Sequence, residues 1–463
     1  DVSSTGSGPS LSTDPSHRRE SKIKKWKSRT PYYLPIVQWV KTYNRSYLIS
    51  DLISGISVAS MLIPASLALS DLARLPINHG LYCAFAATLT YTFLGTSPQM
   101  SVGPEAVVAI LTGMQLAPYE GEDKLIAAAT LTLMVGCITI ALGLLRLGFI
   151  DSILSRSLLR GFIIAVAFHI IAEQIPVLLG YTSHSKAGNT AIEHMIHIWT
   201  HRREINWASS LFGCTSLGVL LMFNMAKKRV PWLASCPMIL VVVVAATLVS
   251  QWTHAHLNYG VNIIGAVDSG FVAPFSVDLK VDVINHLLPG AVLIFLCGFV
   301  ESIAIGKEYA NKYSYRLSPN RELVAFGASN IVSALMGGYP CFGSLARSKV
   351  MDQSGSRTQA AGAFCAMAVL VMITWTLPTV YYVPKPVLAG IIIVAASGLF
   401  EIDDIGVIIR IHKFSDVAMF MFTFTCTMVL GLTSGISISS CISLLMVVEH
   451  TTIPRISIIG RVT

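Results

Sequence analysis

The sequence predicts an all-α polytopic membrane protein, with fourteen transmembrane segments built as two inverted seven-span repeats (7+7). Three observations carry this. Apolar runs recur from end to end of a chain that is 53% hydrophobic and only 13% charged, with a mean hydropathy of +0.64; soluble domains do not have this composition. Lys and Arg collect in alternate loops, as the positive-inside rule requires. A polar, breaker-rich stretch followed by a short apolar run occurs twice, once in each half.

In chain order, residues 1–16 are too rich in Ser, Thr, Gly and Pro to build a core. They lead into Arg18, Arg19, Lys22, Lys24, Lys25, Lys27 and Arg29 around Trp26, so 1–47 reads as a basic cytoplasmic segment beside anionic headgroups. It has no apolar centre of the kind a signal peptide needs. The first repeat covers 48–260, with apolar spans near 52–70, 78–94, 104–114, 125–145, 158–179, 209–225 and 231–251. An outer linker, 261–282, precedes the second repeat, 283–450, with spans near 287–309, 322–338, 344–351, 358–378, 385–400, 416–432 and 434–449. Residues 451–463 begin a further cytoplasmic linker.

With both termini inside, the cytoplasmic loops carry Arg146, Arg156 and Arg160; Lys227, Lys228 and Arg229; Lys307, Lys312, Arg316 and Arg321; Lys349 and Arg357; and Arg410 and Lys413. The first outer loop carries Glu120, Glu122 and Asp123, and only Arg202 with Arg203 breaks the rule. The net charge of +8 is therefore a topological signal and not a nucleic-acid footprint. The nine cysteines stand singly, with no Cys-x-x-Cys pair for zinc or redox work. His194, His197 and His201 would share one helix face beside Glu193, but without a fourth ligand they read as an amphipathic loop helix rather than a zinc site. His254 and His256 are weaker still, Glu173 reads as structural, and the Asn44-Arg45-Ser46 sequon falls on the inner side. No cofactor is expected.

The two breaks carry the chemistry. Gly95-Thr-Ser-Pro98 leads into Gly103-Pro104-Glu105-Ala106, and Gly337-Gly-Tyr-Pro340 leads into Gly343-Ser344-Leu345-Ala346. Pro suits the first position of a helix, so Pro104 is read as a helix start. From Pro104 to Met114 the helix rises roughly 16 Å, about half of a 30 Å hydrocarbon core. An odd number of spans separates the copies, so the two half-helices, at spans 3 and 10, point their amino ends at one another near the midplane. Free N–H groups and the positive dipole ends there favour anions. Arg347 follows the second break and supplies a permanent cation at a depth where Arg is costly. The residues expected to bind substrate here are Gly103, Glu105, Ala106, Ser344, Leu345, Ala346 and Arg347. Glu301, inside an apolar run, and Glu105 are the proton-coupling candidates. With both ionised, a dianion beside Arg347 would bring the side chains and ligand to a net −3. The two helix ends return only about +1, and buried unpaired charge costs several kcal/mol.

Asp51-Leu-Ile-Ser-Gly-Ile-Ser-Val, Ile63-Pro64, Gly80-Leu-Tyr, Gly95-Thr-Ser, Ser101-Val-Gly-Pro, Ser344-Leu-Ala-Arg-Ser348 and Gly355-Ser-Arg-Thr-Gln359 appear in order around both half-helices. Over about residues 30 to 460 the chain thereby resembles the sulfate permease (SulP) family of anion transporters. The resemblance implies intertwined repeats, a core domain holding an anion between spans 3 and 10, a gate domain, a homodimer, and a cytoplasmic STAS domain after the last span. It places Arg347 at the family's basic position, Ser344 near the anion and Ala65 in the substrate set. It likens Glu301 to the eighth-span Glu of proton-coupled members. Two positions depart: Ala65 stands where Gln or Glu is usual, and Glu105 where an apolar residue is common. The resulting expectation is a secondary active, proton-coupled carrier of sulfate or a related oxyanion, moving core against gate like an elevator. Its partners would be the inorganic anion, protons, membrane lipids and a second copy, in the plasma membrane or a vacuolar or endomembrane. The alternatives are an anion exchanger, a channel-like conductor of chloride or bicarbonate, or a carrier of a zwitterionic or basic amino acid held by Glu105. An enzyme is disfavoured by the lack of any nucleophile–base or metal motif.

Overall fold

The computed structural model describes residues 35–148, 156–181, 205–227, 237–267, 280–400 and 414–431, with scattered positions elsewhere. The first long helix, α1 (Arg45–Leu72), starts where the Asn44 side chain accepts the Tyr47 amide at 2.9 Å, so this Asn serves as a helix cap. It is followed by α2 (Asn78–Leu94), a two-residue strand β1 (Val102–Gly103), a short helix α3 (Ala106–Gln115) and the long α4 (Gly121–Leu144). The same order recurs as α8 (Val281–Lys312), α9 (Pro319–Leu335), β2 (Phe342–Gly343), the short α10 (Leu345–Gln353) and α11 (Ala360–Val371). Between and after these units lie α5 (Arg156–Leu179), α6 (Trp207–Ala226), α7 (Met238–Thr253), α12 (Lys385–Ser397) and α13 (Phe414–Leu430).

These helices fall on the first thirteen expected spans. Six of the described helices are long and apolar enough to cross a membrane, and shorter apolar helices accompany them. The fourteenth span, 434–449, lies largely outside the described residues, as do His194, His197, His201, Arg202 and Arg203. Several boundaries shift. α9 begins at Pro319, which takes the first helical position, and ends where Gly337 turns to a positive φ of 77° and Gly338 donates to the Ser333 carbonyl at 2.7 Å. α11 loosens into a π turn at Met372–Thr376 and then a 3-10 turn at Leu377–Tyr382. His254 closes α7 in the left-handed conformation, a structural use of that residue.

The packing divides the helices into two sets. In one, α4 lies on α9 and α8, α1 and α2 lie on α11, and α3 lies on α8, so elements of the two halves interleave. In the other, α5 packs on α12 and α13, and α6 on α12. α1 touches both sets through α12 and α7. Glycine permits the closest approach within the first set. A Cβ on Gly327 of α9 would lie 2.8 Å from the Gly136 carbonyl of α4, and one on Gly136 would lie 3.0 Å from the Gly327 carbonyl. Small residues let helices pack backbone to backbone where lipid supplies no hydrophobic drive between them. Glu173 of α5 pairs with Arg74, just beyond α1, at 3.8 Å, in keeping with a structural role.

Candidate functional site

The site is built on the two breaks. β1 and β2 pair antiparallel, Val102 opposite Gly343 and Gly103 opposite Phe342. Strands this short do not hold on their own, and neighbours tie down their remaining polar groups. Thr88 of α2 donates to the Val102 carbonyl at 2.8 Å. The Ser302 hydroxyl of α8 accepts the Gly343 amide at 2.7 Å. Asn330 of α9 brackets Cys341, accepting its amide and donating to its carbonyl, both at 2.9 Å. The Ser344 amide continues the pairing onto the Ser101 carbonyl at 3.1 Å, while the Ser101 amide donates to the Ser348 hydroxyl at 3.1 Å. The starts of α3 and α10 are thus fixed side by side, and the two halves of the chain meet there.

The structure revises the expected start of the first half-helix. α3 begins at Ala106, not Pro104, and Glu105 is its N-cap, in extended backbone with φ −134°. The Glu105 carboxylate accepts the Val108 amide at 3.1 Å. The amino end of α3 is therefore closed by a side chain of its own chain. α10 differs: its N-cap, Ser344, makes no side-chain capping bond.

Arg347, in the first turn of α10, is 3% exposed. Its Nη1 donates to the Pro104 carbonyl at 2.5 Å and its Nε to the Ser101 hydroxyl at 3.4 Å. Its Nη2 is buried with no hydrogen-bond partner. That nitrogen lies over Gly103, where even an added Cβ would stand 3.4 Å from it. Buried donors are nearly always paired, so an orphan on a permanent cation calls for an acceptor. Glu105 and Arg347 act on one another electrostatically.

Of the remaining expected residues, Ala106 is buried and Ser344 and Leu345 partly so, while Ala346 is exposed. Ala65 is partly buried on α1, one turn beyond Leu62, whose side chain also faces Gly103. Glu301 is partly buried on α8 next to Ser302, and it shares a neighbour with Glu105, since both carboxylates act on Cys297. No group of metal-binding side chains occurs among the described residues.

Sequence reasoning missed the buried acids that brace the breaks. Asp51, fully buried, accepts the Arg357 amide at 2.7 Å, the Thr358 amide at 3.1 Å and the Thr358 hydroxyl at 2.5 Å. Glu322 accepts the Tyr91 hydroxyl at 2.7 Å, the Thr96 amide at 3.0 Å and the Thr96 hydroxyl. Gln359 donates to the Gly95 carbonyl at 3.2 Å, and Ser356 to the Pro98 carbonyl at 3.0 Å. The motif residues at 51 and 355–359 therefore secure the scaffold. Their appearance inside the motifs was the available signal, but it did not separate bracing from binding.

The sequence model of the sulfate permease family matches residues 48–425. The chain is 33% identical to high affinity sulfate transporter 1 of Stylosanthes hamata over 455 residues, covering 96% of this chain and 68% of that protein. It is 30% identical to human solute carrier family 26 member 6 over 457 residues, covering 93% of this chain but 59% of the relative's length. Among solved structures, that of SLC26A9 superposes with a TM-score of 0.86 at 27% identity, covering 97% of this chain and 73% of that one.

Proposed function

This chain belongs to the sulfate permease family of anion transporters, and from that premise we propose that it is a proton-coupled secondary carrier of sulfate or a similar oxyanion. The observation that carries the reading is the buried Arg347, whose Nη2 has no partner and lies beside Gly103, just before α3, on a helix whose own start is uncapped by a side chain. A fixed cation beside amide donors suits an oxyanion, whose several oxygens accept bonds from different directions. The substrate set is Ala65, Gly103, Glu105, Ala106, Ser344, Leu345, Ala346 and Arg347.

Proton coupling is supported by charge. Arg347 and the helix ends supply about +2 together, which balances a dianion but leaves nothing to offset two ionised carboxylates at Glu105 and Glu301 as well. Protonation of at least one carboxyl then accompanies loading. The two packing sets correspond in this reading to a core, α1–α4 with α8–α11, and a gate, α5–α7 with α12 and α13. Movement of one past the other carries the anion, in a 7+7 fourteen-span fold that works as a homodimer. The domain limits are those expected from the sequence: repeats at 48–260 and 283–450 joined by 261–282, with both termini cytoplasmic.

Uptake of labelled sulfate into proteoliposomes, with and without an inward proton gradient, tests the proposal. Accumulation driven by the gradient is expected of the carrier. Conductance that ignores the gradient belongs to the channel-like alternative and would replace this reading.

A further inference from the structure

We infer that the Glu105 carboxylate, when ionised, acts as a tethered anion that occupies the amino end of α3 and leaves the site with one open helix end, that of α10. This deepens the anion-carrier reading and rests on it. Three features support it. The carboxylate already takes the Val108 amide at 3.1 Å, a donor an anion at this helix end would use. At the facing end, Ser344 makes no capping bond. The second, independent mark of a ligand position is the orphan Nη2 of the buried Arg347, whose other nitrogens are spent on the Pro104 carbonyl and the Ser101 hydroxyl.

The charged and titratable neighbours acting on Glu105 are Arg347 from α10, Cys297 from α8 and Tyr339 from the second break. Arg347 is the one cation among these three. A substrate anion on Nη2 therefore shares that cation with the Glu105 carboxylate. The penalty has a signature that a plain helix cap lacks. Coulomb energy is proportional to ligand charge, so the factor by which Glu105 weakens binding of a divalent anion should be the square of the factor for a monovalent one of the same shape. Glu105 would then set valence selectivity, discriminating against dianions whenever it is ionised.

The test uses sulfate and perchlorate, both tetrahedral, titrated onto the purified full chain at one neutral pH. Glu105→Ser replaces the carboxylate with a good neutral cap, so the helix end stays satisfied; Glu105→Gln provides a second neutral variant if the first unfolds. Both should tighten perchlorate by on the order of tenfold or more, and sulfate by about the square of the perchlorate factor. Unchanged affinities, or equal factors for the two anions, would show Glu105 to be a structural cap and overturn the inference while leaving the carrier reading in place. Failure of wild type and variants alike to bind either anion would instead overturn the anion-site reading itself. Arginine binding lost in both variants would assign Glu105 to a cationic substrate group.

Discussion

Replacing Arg347 with Gln removes the cation that the whole site is arranged around, and its consequences for folding and for binding can be separated. From sequence alone the expectation is a folded protein that has lost transport. The structure predicts a stability cost as well. Arg347 is buried and makes a charge-assisted bond of 2.5 Å to the Pro104 carbonyl, a type of bond contributing about 1.5–3 kcal/mol. Its loss also removes the cation that acts on the buried Glu105. Arg347→Gln should therefore destabilise by at least about 1.5–3 kcal/mol. Adding Glu105→Gln removes the carboxylate that has lost its cation, so the double variant should be at least as stable as the single one. It should not recover sulfate binding, because no cation remains. Unfolding of the single and double variants in one detergent, with sulfate titration of each, reads both quantities. A single variant as stable as wild type would refute the bracing contact of Arg347 on Pro104, and a double variant that binds sulfate normally would refute the role given to Arg347 as the binding cation.

The remaining substitutions probe other parts of the account. Glu301→Gln should leave anion exchange but abolish its response to a proton gradient, measured as sulfate uptake against external pH; an unchanged pH response assigns coupling elsewhere. Asp51→Ala strips the acceptor from two amides and a hydroxyl at 357 and 358 and should cost at least about 2 kcal/mol by thermal unfolding, since each buried unpaired donor costs about 1–3 kcal/mol; a smaller loss would show that water takes over these donors. Gly327→Leu places a side chain where a Cβ alone would approach Ile140 Cγ1 to 2.5 Å and the Gly136 carbonyl to 2.8 Å. It should separate α4 from α9 and lose at least about 1–3 kcal/mol, visible as reduced yield of folded protein; normal yield would show that the contact yields easily.

The breaks, the half-helices and the position of Arg347 were legible in the sequence because each rests on local rules. Gly and Pro punctuate apolar runs, and an 11-residue apolar stretch cannot span a bilayer. The start of α3 was misplaced by the same kind of rule. Pro104 suits a first helical position, yet the chain delays the helix to Ala106 because Pro104 offers its carbonyl to Arg347 and Glu105 turns back to cap. Glu is not among the preferred capping residues, so composition gave no hint of this. The braces at Asp51 and Glu322 were illegible for another reason. Their partners lie 307 and 226 positions away, and an isolated acid near the end of an apolar run looks the same whether it faces water or a buried turn. Glu301 was noticed for its depth, but sequence could not show that it shares Cys297 with Glu105.

The central claim is that an oxyanion occupies the space between Arg347 Nη2 and the open amino end of α10. A crystal structure of the protein with selenate, located by its anomalous scattering, tests it most directly. The account predicts a selenate oxygen within hydrogen-bonding range of Nη2, with others on the first amides of α10 and Glu105 still on the Val108 amide of α3. Selenate bound at another cation, with Nη2 still unpartnered in a protein that transports sulfate, would contradict it.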